Sequence, residues 1–333
     1  MESVGVSTIV VNGTRVRQFL AMRECIDAME RALRALTRGH AVVPLRPVVH
    51  VPGETGGALA AMPAYLGDPK SLGVKAISVF PGNEGTAHDS HQGAVLFFDP
   101  DHGALVAIMD AGAITAVRTA AVSGVATRLL ANADASDLAL LGAGVQAHSH
   151  LEAMRAVRPV RRVRVWSRTS ARAAEFARRY DASDCSVTAV ASAQEAVEGA
   201  DLVCTVTSSR EPVLMGDWLA PGAHLNVVGA SVAAAREVDT TAVLRSACFV
   251  DRRESALREA GDLVIPMREG AITESHIRGE LGEILDGTGQ GRLTPQEITL
   301  FKSVGLAVED LGAADIVYRR AREDPDVPRI DLR

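Results

Sequence analysis

The 333-residue chain is poor in lysine, cysteine and aromatic side chains. Only three of its 35 basic residues are lysine: Lys70, Lys75 and Lys302. Arginine is a fixed cation, whereas a lysine amine shifts its pKa readily on burial, so each retained lysine is a candidate for a role that needs an amine. The four cysteines (Cys25, Cys185, Cys204, Cys248) are scattered, with no C-x-x-C pair. That spacing excludes a cysteine zinc site or a disulfide scaffold and fits reduced thiols in the cytosol. Twelve aromatics leave a core built mainly of Ala, Val and Leu. Long apolar runs are missing: the longest uncharged stretch, 218–235, is broken by Pro221, Gly222, Asn226 and Gly229. Such a stretch cannot satisfy its backbone in lipid, so no membrane span is expected. The stretch 1–17 lacks the basic-then-apolar order of a secretory leader. A formal net charge of −6 argues against a dedicated nucleic-acid binder. No G-x-S-x-G elbow supports covalent hydrolysis.

What is present is globular: 47% hydrophobic and 23% charged residues. Cys25, Ile26, Met29, Leu33 and Leu36 recur at helical spacing, predicting an amphipathic helix over 23–38 that ends near Gly39. From Val42 to Phe98, short apolar runs (PVVHV, ALAAMPAYL, GVKAISVF, GAVLFFD) alternate with Gly, Pro and Asp, the pattern of hairpins or a meander. DPDHG at 99–103 reads as a turn into the strand ALVAIMD. The Ala-rich run after Asp110 reads as a helix carrying a domain boundary. Beyond Asp137, the strand candidates LALLG, RVRVWS, LVCTV, HLNVVG and ACFVD alternate with helical stretches. That alternation predicts a doubly wound α/β Rossmann domain. The tail from Thr299, TLFKSVGLAVEDLGAADIVYRRA, reads as helical. The expected division is a Rossmann domain over 116–304 and a mixed α+β domain from 1–115 and 305–333.

Gly142, Gly144 and Ala147 form G-x-G-x-x-A after the strand LALLG and before a helix, the context a dinucleotide fingerprint requires. Gly142 permits the turn, Gly144 leaves room for a pyrophosphate, and Ala147 lets helix and strand pack closely. NAD sites place an acid at the end of the next strand, on the ribose 2′-hydroxyl. Here the strand ends in Ser167, Arg168 and Thr169, with Arg172 one turn on. An acid would repel a 2′-phosphate and arginine can pair with it, so NADP(H) is preferred, with NAD(H) possible. Nine arginines and one glutamate between Arg155 and Arg179 add a favourable field for an anion.

Three cations stand in otherwise apolar elements: Lys75 in GVKAISVF, Arg46 in PLRPVVHV and Arg118 in AVRTAAVSG. Together they suggest a carboxylate pocket, although a lone strand lysine can also snorkel from an edge. His88 with His91 and His148 with His150 lack a third ligand and an ordering shell, so no metal is expected. His91 reads instead as a polar contact near the cofactor.

In order along the chain, MPAYLG, SHQGAVLFFD, MDAGAITAVRTAAVS, LGAGVQAHSH, WSRT, GADLVCTVTSSREPV, PGAHLNVVGAS and FKSVGLAVED resemble the ornithine cyclodeaminase/mu-crystallin family over roughly residues 40–320. The resemblance implies a homodimer with a Rossmann domain and a dimerisation and substrate lobe made from both termini. It implies that Arg46, Lys75 and Arg118 hold the substrate carboxylate, with Lys75 and Arg118 catalytic. The dinucleotide would lie on Gly142, Ala143, Gly144, Val145 and Gln146, on Ser167, Arg168, Thr169 and Arg172, and on Thr205, Val206 and Thr207. Ser90, His91, Val228 and Ser303 would line the nicotinamide end, with Arg118, and Glu259 matches an acidic position near the ligand pocket.

One departure is informative. Members that cyclise ornithine resemble G-A/G-D-x-P-G-K-x-E-L, with Asp as general acid/base and a Lys four residues on; here those positions are Ser231 and Ala235. A serine cannot take the proton a carboxylate takes near neutral pH, and losing such a group costs about 10²–10⁴ in rate. Ser231 matches the mu-crystallin subgroup, whose members resemble ketimine reductases. The expected activity is therefore NAD(P)H-dependent reduction of an α-imino acid. An amino-acid or opine-type dehydrogenase, a residual cyclodeaminase and an NADPH-dependent small-ligand binding protein remain alternatives.

Overall fold

The computed structural model describes residues 7–53, 56–83 and 86–332. The chain begins with β1 (Thr8–Val11), α1 (Gly13–Phe19), α2 (Met22–Thr37), β2 (Ala41–Val42) and β3 (Val48–Val51). The long strands β4 (Gly57–Gly67), β5 (Lys70–Val79), β6 (His91–Phe98) and β7 (Leu105–Asp110) follow, then helix α3 (Ala111–Leu130). Alternation sets in with β8 (Asp137–Leu141), α4 (Val145–Val157), β9 (Arg162–Trp166), α5 (Ser170–Tyr180), β10 (Ser186–Ala189), α6 (Ala193–Val197), β11 (Leu202–Thr205) and β12 (His224–Val227). Next come α7 (Thr240–Leu244), β13 (Ser246–Val250), α8 (Arg253–Glu259), α9 (Gly261–Arg268), β14 (Ile277–Glu280), α10 (Leu281–Leu285) and β15 (Ile298–Lys302). Helix α11 (Ala307–Glu323) and β16 (Arg329–Ile330) close the chain. Two compact units result: residues up to Arg118 with those from Leu306 onward, and Thr119–Gly305.

In the first unit the sheet order is β16-β1-β7-β6-β5-β4-β2, with β3 also paired to β4. Strands β4 to β7 form the antiparallel meander that the Gly- and Asp-punctuated runs predict. The Asp99–Gly103 turn is closed by the Asp99 carboxylate, which accepts the Asp101 N–H at 2.8 Å. Helix α2 buries Cys25, Ile26, Met29, Ala32 and Leu33, its apolar stripe, and ends at Gly39 with φ +72°. Helix α11 packs on α2 and on the meander. It comes close enough to β5 that a Cβ on Gly73 would lie 2.8 Å from Leu311. That approach sets the start of α11 over the buried face of β5, where Ser71, Gly73, Lys75 and Ile77 alternate inward.

The second unit is an all-parallel sheet, β10-β9-β8-β11-β12-β15-β13-β14, in the α/β class expected. Chain order reverses between β8 and β11, the switch point at which such sheets take their ligands. All five anticipated strands form. The tail differs: Ile298–Lys302 is not helical but a fully buried strand between β12 and β13. Its β-branched and aromatic content suits a central strand, and its continuity with the apolar run beyond hid the boundary. Gly305, at φ +78°, separates it from α11. Helix α3 is buried through most of its length. Its last carbonyls and the two that follow are taken up by two arginines: Arg158 donates to Thr127, Arg128, Ala131 and Asn132, and Arg292 to Leu130. These bonds satisfy a helix end that would otherwise carry orphan acceptors.

Candidate active site

Lys75 is an inward-facing residue, not an edge lysine. It is 3% exposed and pairs through the β-ladder with Met62 of β4 and Val95 of β6, both buried. Its Nζ lies 2.7 Å from Asp310 Oδ2, in the first turn of α11. The other oxygen of Asp310 accepts from Arg118 Nε at 2.8 Å, and Glu309 Oε2 accepts from Arg118 Nη1 at 2.8 Å. One carboxylate thus joins two buried cations. Arg46 lies in the connection between β2 and β3, and its Nη1 approaches Met62 Sδ at 3.9 Å. The structure therefore brings Arg46, Lys75 and Arg118 into one group. Burial lowers the Lys75 pKa to about 8; Asp310 opposes the fall, and the Arg118 and Arg46 charges add to it. Burial pushes the Asp310 carboxyl up, but Arg118 and Lys75 outweigh it and hold the group below its ordinary value. A buried amine with a pKa near neutrality can hold a proton and release it. His91 opens β6 and Ser90 precedes it, the two joined by a 3.0 Å bond between Ser90 Oγ and His91 Nδ1. Desolvation and the Lys75 charge lower the His91 pKa.

In the second unit the residues expected to bind a dinucleotide gather at the carboxyl ends of the strands. Gly142 follows β8 with φ +117°, and a Cβ there would lie 2.7 Å from the Val206 carbonyl oxygen. Glycine is required twice over at this turn. Gly144 caps α4 without a side chain, and a Cβ there would meet open space. The first-turn N–H groups of α4 have no side-chain cap, so they can receive phosphate oxygens. Gln146 Oε1 is buried and has no hydrogen-bond partner among the described residues. This open glycine cradle with an orphaned polar atom fits a dinucleotide. Ala143 and Val145 lie in the same loop, and Ala147 is fully buried. Ser167, Arg168 and Thr169 follow β9, with Arg168 and Arg172 exposed and no carboxylate at the strand end. Thr205 ends β11 and Val206 and Thr207 follow it, Val228 donates its N–H to the Thr205 carbonyl at 3.1 Å, and Ser303 donates its own to Val227 at 3.1 Å. Ser231 is exposed on the loop after β12, and Glu259 is half-buried at the end of α8. A surface cavity of about 780 Å³ opens at the other end of β13 and β15, beside Ser246, Ile277 and Ile298, away from these strand ends.

The profile of the ornithine cyclodeaminase/mu-crystallin family matches residues 6–325. The chain belongs to this family. It is 42% identical over 296 residues to mouse ketimine reductase mu-crystallin, covering 88% of this chain and 90% of the relative. The structure of Thermococcus litoralis Δ1-pyrroline-2-carboxylate reductase in complex with NADH and L-proline superposes with a TM-score of 0.92. That protein shares 40% identity, with 95% of this chain and 98% of the other covered. An archaeal alanine dehydrogenase dimer with bound NAD gives a TM-score of 0.91 at 30% identity, over 98% of this chain and 100% of the other.

Within this family member, sequence reasoning missed the acids. Glu309 and Asp310 stand in GLAVEDLGAA, two charges inside an apolar helix, and Glu237 and Asp262 are likewise fully buried. The rule that singled out the isolated cations applies equally to isolated carboxylates: buried charges are paired. Among the described residues, no group of three His, Cys, Asp or Glu is placed to hold a metal ion, and no helix is long and apolar enough to cross a membrane.

Proposed function

We propose that the protein is an NAD(P)H-dependent imine reductase converting an α-imino acid to the amino acid, with cyclic ketimine carboxylates such as Δ1-pyrroline-2-carboxylate or Δ1-piperideine-2-carboxylate as substrates. The observation that carries this reading is Lys75, a buried amine beside Arg118 in a fold shared with a Δ1-pyrroline-2-carboxylate reductase. The nicotinamide, when bound, supplies a hydride to the imine carbon. The chain's own groups do the rest. Arg46 and Arg118 hold the carboxylate, arginine being suited to planar anions. Lys75 adds charge and holds a proton for the nitrogen. Ser231 and Glu259 contribute polar contacts. A protonated imine is already electrophilic, so orientation matters more than a strong acid, which suits serine at 231.

Gly142–Gln146, Thr205–Thr207, Val228 and Ser303, with Ser90, His91 and Arg118, bind the dinucleotide. Arg168 and Arg172, with no acid at the end of β9, favour NADPH over NADH. The protein acts as a homodimer in the cytosol. Val48, Val49, Val51 and Leu59, each 43–65% exposed around β3 and β4, supply an apolar surface that a second copy would cover. Four buried thiols suit a reducing compartment.

Likeness to an alanine dehydrogenase favours a second reading, reductive amination of a 2-oxo acid. Oxidation of NADPH and NADH with the two cyclic imines, beside pyruvate with ammonia or methylamine, separates the two. Turnover of a cyclic imine, preferring NADPH and lost in Lys75→Ala, is the expected result. Turnover only with the keto acid and amine establishes the dehydrogenase. Tight NADPH binding without turnover leaves a binding protein.

A further inference from the structure

Glu237 is fully buried, and its carboxylate accepts four hydrogen bonds. Oε1 takes the Thr207 N–H at 2.7 Å and the Thr207 hydroxyl at 2.6 Å. Oε2 takes the Thr205 hydroxyl at 2.8 Å and the Gly229 N–H at 2.6 Å. Thr205 ends β11, and Thr207 and Gly229 lie just beyond β11 and β12, so one side chain joins the carboxyl ends of two adjacent strands. The approach is tight: a Cβ on Gly229 would lie 2.1 Å from the Thr207 carbonyl oxygen and 2.6 Å from Glu237 Oε1. The Glu237 backbone is held as firmly. Its N–H and that of Val238 donate to Asp262 Oδ1 at 2.7 and 3.1 Å, and its carbonyl accepts from Val213 and Leu214. Asp262 in turn pairs with buried Lys302 at 2.9 Å, the last residue of β15. Three strand ends at the ligand-binding edge of the sheet are thereby tied together.

We infer that Glu237 is the positioning residue that sets the dinucleotide-bearing ends of β11 and β12, a role that rests on the cofactor assignment above. A glutamine cannot replace it. Two backbone N–H groups, which cannot reverse, point at different oxygens, so either orientation of the amide sets its NH₂ against Thr207 or Gly229. One strand end must then move. Because the residues that would be displaced are those assigned to the diphosphate and nicotinamide side, and not Arg168 and Arg172, NADPH and NADH should suffer alike.

The test is fluorescence titration of wild type, Glu237→Gln and Thr205→Val with NADPH and NADH, with thermal unfolding and steady-state kinetics on each. Expected for Glu237→Gln is a rise of about tenfold or more in both dissociation constants, and for Thr205→Val a smaller rise, about threefold. For Glu237→Gln at saturating dinucleotide the KM for Δ1-pyrroline-2-carboxylate should stay within about twofold of wild type. A folded variant of lowered melting temperature but unchanged dissociation constants overturns the positioning role and leaves Glu237 a stabilising residue. Should Glu237→Gln not fold, Thr205→Val decides by the same criterion. A wild type that binds neither dinucleotide overturns the cofactor assignment itself, and this inference with it.

Discussion

Replacing Asp310 by asparagine removes one charge and keeps the shape of the side chain that joins Lys75 to Arg118. The carboxylate lies 2.7 Å from Lys75 Nζ and 2.8 Å from Arg118 Nε, with all three groups buried. Removing one partner of a buried ion pair costs about 3–5 kcal/mol, because the remaining charge is left uncompensated. Part of that cost can be relieved by Lys75 giving up its proton. Its pKa stands at about 8 while Asp310 supports the ammonium form. An opposite charge at this distance accounts for about one to three pH units, so in the variant Lys75 should lose its proton between about pH 5 and 7. If protonated Lys75 is needed in turnover, kcat/KM for a cyclic imino acid falls above about pH 8 in wild type. In Asp310→Asn that alkaline limb should move down by the same one to three units. The assay is a pH profile of kcat/KM at saturating NADPH on both proteins, with circular dichroism to show that the variant is folded. A folded Asp310→Asn whose limb stays near pH 8 refutes the reasoning: either Lys75 is not the titrating group, or Asp310 does not hold its proton.

Other expectations follow from burial and backbone geometry. Gly142→Ala forces a side chain into φ +117° and towards the Val206 carbonyl, a strain of about 1–3 kcal/mol; weaker NADPH binding by titration and a lower melting temperature are expected together. All four thiols are buried, and burial raises the pKa of Cys204 and Cys248 to about 12. An aromatic disulfide reagent should therefore label none of them in the native protein and four after denaturation. His150 is fully buried, bonded to Ser123 Oγ at 3.0 Å and to the Gln146 carbonyl at 2.8 Å, and burial lowers its pKa to about 4. A histidine whose folded pKa lies below its unfolded value of about 6.5 contributes stability that is complete above that value and is lost as pH falls towards 4. That loss comes to about 3 kcal/mol, and denaturant unfolding between pH 7 and 4 should show it shrinking in His150→Gln.

The parts of the candidate site legible in the sequence are those whose chemistry is local. Gly142, Gly144 and Ala147 lie within one turn, so their spacing alone points to a dinucleotide, and the preceding strand and following helix show in the same short window. Lys75, Arg46 and Arg118 stand out because each interrupts an apolar element. Their partners do not announce themselves: Arg118 and Asp310 are 192 positions apart, and which acid meets which base is decided by α11 lying on β5. The TLFKS strand was missed for a related reason. Its place between β12 and β13 comes from long-range pairing, and the apolar run continues into a helix without a change of composition. The scarcity of lysine is nevertheless a strong signal. Lys70 sits on the surface beside Asp101, but Lys75 and Lys302 are buried and each is matched to a carboxylate, Asp310 and Asp262. A buried ammonium requires such a partner. Once two of three lysines are placed in apolar strands, the chain must therefore bury acids as well. The candidates visible in sequence are those set in apolar runs: Asp262 in AGDLVIP and the Glu309–Asp310 pair in AVEDLGAA. Once both strands are known, charge balance identifies such acids as a class; the fold decides the pairing.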